Sequence, residues 1–499
     1  MLNFVSAVDG TQQPYALYLP PGYDAKKAYP LVVSLHSEES THRLNYRQLF
    51  ASAGGFAHVD PLDPRFYPAA RDVDFLVAFP FARGTIGYRG IAEADVYEML
   101  ADVEKRYLVD RDRIYLTGIS MGGGGALWYA LTRPDVWAGV APLAPGAPPG
   151  MEALAGNAFD LPVRLFQGEQ DPIIPVQFTR DWHRRFDDAG VAAHYFEFPA
   201  VRHDIWNTAY KNGAIFDWFA TLKRNTAPER VKFATDAYRY ASAYWVRIDR
   251  LMPGTVATVD ARRATATEIR VTTKNLGGFT LTPDRPASLV NIDGAAIRVK
   301  PGAALSFQKV SGQWRLGRAA AEAKRAGAEG PIAAAFGGGQ IYVYGDGSAV
   351  AADHAAQWGP LSFRVLADSN VTPADIADSD AILFGTAQTN TIIAKLSAQL
   401  PLELNAGAAD YGLLFIAPAG RHYVVVSSGL PWWTGAAEAN RGGDRFAPEA
   451  YRLLSTFGDY ILFKGSLAHV VAEGRFDSSW KAPPDAAIKL RASGVVTVR

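Results

Sequence analysis

Ser120 is the residue whose surroundings most clearly indicate chemistry. It lies in Gly118-Ile-Ser-Met-Gly122, which matches the pattern G-x-S-x-G. This pattern is typical of a sharp turn between a strand and a helix that lifts a serine hydroxyl above a sheet. An apolar run precedes it and a glycine-rich helix start follows, whose N–H groups would stabilise developing negative charge. The spacing predicts a nucleophilic serine, and the alternative is a glycine-rich helix start packed on a sheet.

A nucleophilic serine needs a base that accepts its proton. Three histidines follow Ser120 in the first half of the chain. His183 lies in the middle of a predicted helix and His194 lies inside a predicted strand. His203 follows the carboxyl end of a predicted strand, where its loop could place it over the serine. We therefore predict His203 as the base, against the alternative of a loop histidine that caps a turn.

The base in turn needs a carboxylate that orients its ring. Asp171 follows the predicted strand 163–166 after a short glycine loop, at the sheet edge expected to lie near His203. Glu169 is the second candidate, whereas Asp204 is too close to His203 in sequence to approach its ring correctly. The sequence thus favours Asp171, and its alternative role is that of a turn-forming aspartate.

Acyl transfer also requires two N–H groups directed at one oxyanion. The N–H of Met121, directly after the predicted nucleophile, is the first. The second is expected from the loop after the strand that ends at Leu35, with Glu38 as the first candidate and Ser37 as the next. The histidines lack metal-ligand spacing, so we expect no metal and no cofactor.

The composition is that of a globular protein with no excess of either charge. The 499 residues contain 50 Lys and Arg and 50 Asp and Glu, so the formal net charge is zero, which gives no reason to expect a nucleic-acid partner. No apolar run approaches the length of a membrane helix. Cysteine is absent, which excludes disulfides and a cysteine nucleophile. The first residues do not resemble a signal peptide, so we expect either a secreted or periplasmic protein whose leader is removed or a cytoplasmic one.

Strand and helix patterns alternate over residues 1–226, the first region. Such alternation predicts a doubly wound α/β domain that opens with a β-hairpin. The predicted helices cover residues 44–53, 92–107, 176–189 and 215–223, and a proline-rich loop covers residues 60–68.

The pattern changes after residue 226. Short alternating segments in residues 231–318, the second region, predict a small β-sandwich or barrel, with a turn at residues 275–278. Residues 319–327 could be a helix or a linker. Residues 331–499, the third region, mix strands (340–344, 379–384, 422–427 and 460–463) with helices (391–400 and 448–456), which predicts a smaller α/β domain.

Several motifs of the chain together resemble those of the α/β-hydrolase esterases, which include feruloyl and acetylxylan esterases and polyhydroxybutyrate-depolymerase-like enzymes. The resemblance covers about residues 3–224. It rests on Tyr18-Leu-Pro-Pro-Gly-Tyr23, on residues 112–123 around Ser120, on residues 168–171 and on His203-Asp-Ile-Trp206. It implies Ser120, Asp171 and His203 as a triad, an acyl-enzyme mechanism, and a small or polysaccharide-linked ester as substrate. Trp206 and Tyr88 are the candidate substrate-binding residues.

The sequence departs from the family pattern after the first core strand. The family usually has His-Gly there, whereas this chain has His36-Ser37 followed by Glu38 and Glu39. Glutamates that point inward would oppose the oxyanion, whereas solvated ones would cost nothing, and Glu38 could then bind a sugar hydroxyl or a cation.

Two other functions are compatible with parts of the sequence. A peptidase of the prolyl oligopeptidase type ranks lower, because the hydrolase motifs begin within the first twenty residues and leave no room for a preceding propeller. A carbohydrate-binding protein with a vestigial hydrolase domain is the second alternative. Residues 385–390 ahead of a helix could hold an anion, although ordinary capping is the favoured explanation. Candidate stacking residues are Tyr238, Tyr240, Tyr244, Trp245, Trp314, Trp432 and Trp433.

Overall fold

The computed structural model of the chain describes residues 1–50, 72–302, 304–319, 323–358, 361–443, 445–447 and 449–499. The proline-rich loop predicted at residues 60–68 lies outside these ranges. Among the described residues, no helix has the length and apolar character needed to cross a membrane.

The first region is built on one eight-stranded sheet in the order β1-β2-β4-β3-β5-β6-β7-β8. Strands β3 to β8 are parallel, and the antiparallel hairpin β1–β2 extends the sheet beside β4. The central strands β3, β4 and β6 are buried along their whole length, as expected for parallel strands covered on both faces. The strands are β1 (Leu2–Val5), β2 (Gln12–Tyr18), β3 (Tyr29–Leu35), β4 (Leu76–Pro80), β5 (Val109–Ile119), β6 (Gly139–Leu143), β7 (Val163–Gly168) and β8 (Ala193–Phe198).

Helices cover both faces of this sheet and enclose two hydrophobic cores. In α4, for example, Thr179, Trp182 and Phe186 form the buried stripe and left-handed Gly190 ends the helix. The predicted α/β class is confirmed. The first helix covers His42–Leu49, and residues 51–53 of its predicted range lie outside the described residues. The helices are α1 (His42–Leu49), α2 (Ile91–Arg106), α3 (Met121–Thr132), α4 (Val176–Ala189), α5 (Trp206–Ala209) and α6 (Ala214–Ala220).

The second region is a sandwich of two five-stranded sheets around one core. The turn predicted at residues 275–278 is wrong. Asn275 alone turns the chain with a φ of 57°, and β14 begins at the next residue. The ten strands are β9 (Arg230–Thr235), β10 (Ser242–Ala243), β11 (Val246–Leu251), β12 (Ala257–Arg263), β13 (Glu268–Lys274), β14 (Leu276–Leu281), β15 (Leu289–Ile292), β16 (Ala295–Arg298), β17 (Leu305–Val310) and β18 (Gln313–Leu316).

The third region has a seven-stranded mixed sheet in the order β22-β19-β23-β26-β25-β27-β28. Two further two-stranded sheets, β20-β21 and β24-β29, belong to the same region. The strands of the third region are β19 (Gln340–Tyr344), β20 (Gln357–Trp358), β21 (Leu361–Ser362), β22 (Arg364–Ala367), β23 (Asp380–Phe384), β24 (Leu402–Leu404), β25 (Tyr411–Ala419), β26 (His422–Gly429), β27 (Tyr460–Lys464), β28 (Ser466–Gly474) and β29 (Val496–Val498). Its helices are α7 (Ala349–Ala355), α8 (Pro373–Asp378), α9 (Thr391–Leu396), α10 (Ala436–Ala439), α11 (Glu449–Leu454) and α12 (Pro484–Ala492).

The three regions are joined by buried contacts. Asn157 exchanges two hydrogen bonds with the backbone of Ala234, at 2.8 and 2.7 Å. The Tyr240 hydroxyl donates to Glu93 at 2.6 Å. Phe446 of the third region is part of a core of the first region. The later regions therefore complete the packing of the first one, while the exact domain boundaries remain predictions.

Candidate active site

Ser120 occupies the turn between β5 and α3. Its φ of 55° and ψ of −113° are rare for a residue with a side chain. Such strained angles concentrate at functional sites. The Ser120 N–H donates to the Leu143 carbonyl at 2.9 Å, and the Ser120 carbonyl accepts from Gly146 at 2.9 Å. The turn is thus fixed from both sides, and Ser120 stands at the N-terminus of α3.

The positions that flank this turn must be glycine because a side chain has no room there. A Cβ on Gly118 would collide with the Gly122 carbonyl, and a Cβ on Gly122 would collide with the Leu35 carbonyl. Helix α3 can therefore approach β3 and β5 only because side chains are missing at these positions. This close approach also brings the loop after Leu35 next to Met121.

We expect Gly122→Ala to destabilise the folded protein by about 1–3 kcal/mol, because the added methyl group meets backbone that has no room to move. Thermal unfolding followed by circular dichroism measures the loss. Gly302→Ala is the matched control, since the nearest atom to its Cβ would be the Lys300 carbonyl oxygen at 3.8 Å. Equal unfolding temperatures for the two variants would contradict the steric account.

Asp171 and His203 form a direct pair. Nδ1 of His203 lies 2.7 Å from Oδ2 of Asp171. The Asp171 side chain is fully buried, while that of His203 is 22% exposed. Glu169, the second candidate for the acid, instead accepts from the Ala200 N–H at 3.3 Å. An imidazole held through Nδ1 by a buried carboxylate has Nε2 left for proton transfer.

The environment of Asp171 favours its ionised form. Burial alone would raise the pKa of its carboxyl, but the hydrogen bonds from His203 and from the N–H groups of Ile174 and Ile173 hold that pKa below its usual value. The stabilisation from this carboxylate is therefore present above its unfolded-state pKa and is lost as the pH falls through the folded-state pKa. Gln167 also donates to Oδ2 at 3.0 Å, a contact that no sequence signal indicated.

The topology brings the three predicted triad residues to one edge of the sheet. Ser120 follows β5, Asp171 follows β7 and His203 follows β8, and these parallel strands end on the same side. Ser120 and His203 form no hydrogen bond with each other in the described structure. Catalytic hydrogen bonds are often long without a substrate and tighten on binding. The catalytic roles of the three residues stay predictions.

The two predicted oxyanion donors lie at the ends of α3 and β3 that face each other. The Met121 N–H is at the start of α3 and has no acceptor among the described residues. Glu38 lies in a turn after β3, and the side chains of Glu38 and Glu39 are both exposed. The exposure agrees with the solvated alternative for these glutamates. The role of Glu38 as donor stays a prediction.

His36 holds the start of this loop. Its ring is completely buried, with Nδ1 2.8 Å from the Ser37 carbonyl and Nε2 3.0 Å from the Phe81 carbonyl. Burial lowers the pKa of His36 while the two carbonyls oppose that effect, and a neutral ring can donate to only one of them. The Tyr88 hydroxyl donates to the His36 carbonyl at 3.1 Å.

The two predicted substrate-binding residues are not surface platforms. Tyr88 is 3% exposed, and its ring packs where Gly125 has no side chain, so it supports the His36 loop. Trp206 is half-buried in α5 beside a core of the first region, and its Nε1 has no partner among the described residues. Trp206 remains a candidate for substrate binding, whereas Tyr88 is better described as a positioning residue.

A pocket of about 190 Å³ lies beside the predicted triad. Gly146, whose N–H donates to the Ser120 carbonyl, and Ile174, whose N–H donates to Asp171, both line it. Phe446 of the third region also lines it and lies against Gly146, where an added Cβ would be 3.2 Å from its ring. No sequence pattern predicts this contact, because Gly146 and Phe446 are 300 positions apart in the chain. The other lining residues are Ala147, Pro148, Pro149, Ile173, Pro175, Phe178, Gly443 and Arg445.

The aromatic residues proposed as sugar-stacking platforms are mostly core residues. Tyr240, Trp245, Trp314 and Trp432 are each 9% exposed or less. Trp432 is fully buried in the core of the third region, which rules it out as a stacking platform and agrees with a packed position. The turn ahead of α9 is ordinary capping, with the Asn390 side chain accepting from the N–H groups of residues 392 and 393.

Among the described residues, no group of three or more His, Cys, Asp or Glu side chains could hold a metal ion.

Residues 6–160 match the family model described as "Putative esterase". Several solved structures are similar to less than half of this chain. A thermostable esterase is 24% identical over 45% of this chain and 62% of its own, with a TM-score of 0.37. A CE1 ferulic acid esterase from Anaeromyces mucronatus is 18% identical over 44% of this chain and 89% of its own, with a TM-score of 0.34. A fluorophosphonate-binding serine hydrolase of Staphylococcus aureus is 18% identical over 44% of this chain and 96% of its own, with a TM-score of 0.34.

The matched residues contain Ser120, Met121 and the loop after β3, whereas Asp171 and His203 lie beyond them. The predicted resemblance to esterases is thereby confirmed for the part of the chain that carries the elbow. Together with the eight-stranded sheet, this match supports an α/β-hydrolase fold for the first region, which is similar to the esterase family over the matched residues.

Proposed function

We propose that this protein is a serine esterase that hydrolyses carbohydrate-linked acetyl or feruloyl-type esters through an acyl-enzyme. The observation that carries the proposal is the 2.7 Å pair of His203 and buried Asp171 at the same sheet edge as the strained Ser120. A general base held by a carboxylate has one use beside a serine in a nucleophile elbow, which is to accept the serine proton.

The reaction follows from these positions. Ser120 Oγ attacks the ester carbonyl carbon while its proton moves to Nε2 of His203, and Asp171 stabilises the imidazolium that forms. The N–H of Met121 and a second N–H from the loop after β3, with Glu38 as candidate, hold the oxyanion. The carbon–oxygen bond to the alcohol breaks, and His203 gives its proton to the leaving oxygen. Water then attacks the carbonyl carbon of the acyl-enzyme and gives a proton to Nε2 of His203. The bond to Ser120 Oγ breaks, Oγ takes that proton, and the carboxylic acid leaves.

The neighbouring pocket supports an aromatic acyl group. Its walls are the apolar side chains of Ile173, Ile174, Phe178 and Phe446 together with three prolines. A flat ring of the size of a feruloyl group would bury its faces against these walls, whereas an acetyl group would leave most of the 190 Å³ unfilled.

A panel of acetyl, feruloyl and longer acyl esters assayed on the full chain tests the proposal. We expect turnover of an activated acetyl ester and a higher kcat/KM for the feruloyl ester, because only the latter fills the pocket. A protein that hydrolyses none of these esters would not be an esterase.

Phe446→Ala tests the contribution of the third region to this pocket. We expect kcat/KM for the feruloyl ester to fall about ten- to hundredfold, the effect of losing about 1.4–2.7 kcal/mol of ring contact, and that for the acetyl ester to fall far less. Val350→Ala is the control, because Val350 is in the same region and is 83% exposed. Equal losses on both esters would assign Phe446 a structural role only.

A further inference from the structure

A second and larger cavity, of about 380 Å³, lies where the three regions meet. The first region contributes Arg89 and Trp128, the second contributes Arg239 and Tyr240, and the third contributes Arg475 among others. We call it the junction cavity. Its position on Trp128, two turns along α3 from Ser120, separates it from the pocket beside the predicted triad.

Three arginines line the junction cavity, and none of them forms a close ion pair with a carboxylate of the described residues. The guanidinium groups of Arg89, Arg239 and Arg475 make no ion pair or side-chain hydrogen bond with any described residue. The guanidinium of Arg89 lies 4.0 Å from the centre of the Trp128 ring, and that of Arg239 lies 5.3 Å from the centre of the Tyr240 ring. Stacking uses the face of a guanidinium and leaves the N–H donors at its edge for an oxygen ligand.

Two of these arginines come from distant parts of the chain to neighbouring positions. A Cβ on Gly337 would lie 3.1 Å from Nη1 of Arg239 and 3.7 Å from Cα of Gly90, the residue after Arg89. Like charges brought together by folding repel unless an anion lies between them. Their collection around one cavity suits a negatively charged ligand, although Glu93 and Glu329 already offset part of the charge of Arg239.

The acidic groups of the cavity are largely committed to other partners. Glu329 accepts hydrogen bonds from the backbone N–H groups of Tyr238 and Arg239, the latter at 3.0 Å. Burial raises the pKa of Glu329 to about 7, so that part of its charge is absent at neutral pH. Asp236 is the other carboxylate of the lining and is exposed. Glu93 lies behind the cavity wall, where it accepts from Trp128 Nε1 at 3.0 Å and from the Tyr240 hydroxyl at 2.6 Å. The cavity therefore offers guanidinium N–H donors without carboxylate partners rather than a net excess of positive charge.

We propose that the junction cavity binds a small polyanion, a phosphorylated or polycarboxylate molecule, through Arg89, Arg239 and Arg475. Guanidinium forks bind phosphate and carboxylate oxygens in pairs, and three of them suit a ligand with at least two acidic groups. Such a ligand contacts all three regions at once. It therefore stabilises their assembly by binding the folded chain and not the unfolded one. This site does not depend on the proposed esterase activity.

Thermal unfolding of the full chain with sodium pyrophosphate or sodium citrate, at an ionic strength matched with NaCl, tests the site. We expect one or both to raise the unfolding temperature by about 3 °C or more at saturation. The pyrophosphate and citrate arms distinguish a phosphate ligand from a carboxylate one. No rise with either anion would overturn the proposal.

Variants locate the binding. Arg89→Gln and Arg239→Gln are expected to abolish the rise, whereas Arg315→Gln, at an exposed and unpaired arginine of β18, is expected to keep it. Isothermal titration of the same variants gives a second readout, and Arg475→Gln replaces any variant that circular dichroism shows to be unfolded. A rise that persists in the cavity variants would mean that the anion binds elsewhere, and the proposal would be wrong.

Discussion

Ser120→Ala lowers kcat/KM for an activated acetyl ester by about 10⁴-fold or more if the elbow serine is the nucleophile, because no other group can form the acyl-enzyme. A residual rate from substrate binding and the oxyanion donors is expected, as in other hydrolases that lose their serine. Steady-state kinetics with the full chain measures the ratio.

The fold of Ser120→Ala serves as the control. Ser120 is 4% exposed, and its backbone contacts to Leu143 and Gly146 do not involve the hydroxyl. The unfolding temperature should therefore match that of the parent protein. A Ser120→Ala protein that hydrolyses the ester within tenfold of the parent would rule out this serine as the nucleophile.

Asp171→Asn is expected to lower kcat by about 10³- to 10⁴-fold with little change in KM. An amide at this position keeps the shape of the carboxylate but cannot stabilise the imidazolium, and it favours the wrong ring tautomer of His203. The variant also loses the negative charge that accepts from Ile173 and Ile174 at 2.8 and 2.9 Å. Circular dichroism separates this structural effect from the kinetic one.

Two neighbouring acids provide matched controls for Asp171→Asn. Asp204→Asn changes the residue next to His203, and Glu169→Gln changes the acid that contacts Ala200 instead of the imidazole. Both should retain at least a third of the parent kcat/KM. A loss in Glu169→Gln as large as that in Asp171→Asn would show that the assignment of the acid is incorrect.

Much of the fold and of the candidate site could be predicted from local sequence patterns. The G-x-S-x-G motif between an apolar run and a helix located the turn at Ser120, and loop positions after predicted strands singled out Asp171 and His203. The structure places the last two in direct contact. Parallel strands end at one sheet edge, so residues that follow such strands meet without any further information.

Contacts between distant segments could not be predicted from the sequence. Phe446 reaches the pocket beside Ser120 because the third region packs on the first, and no local pattern encodes that docking. The same holds for Trp432, whose burial depends on neighbours along the whole third region. The strand β14 was mistaken for a turn because its glycines have low strand propensity, which the surrounding sheet overrides.

Covalent labelling tests the central claim most directly. The parent protein treated with a fluorophosphonate should carry one adduct, on the peptide that contains Ser120, when mapped by mass spectrometry. His203→Ala should slow this labelling about 10³-fold or more, because the serine keeps its proton. An adduct on another residue, or labelling of Ser120 at the same rate without His203, would contradict the proposed triad.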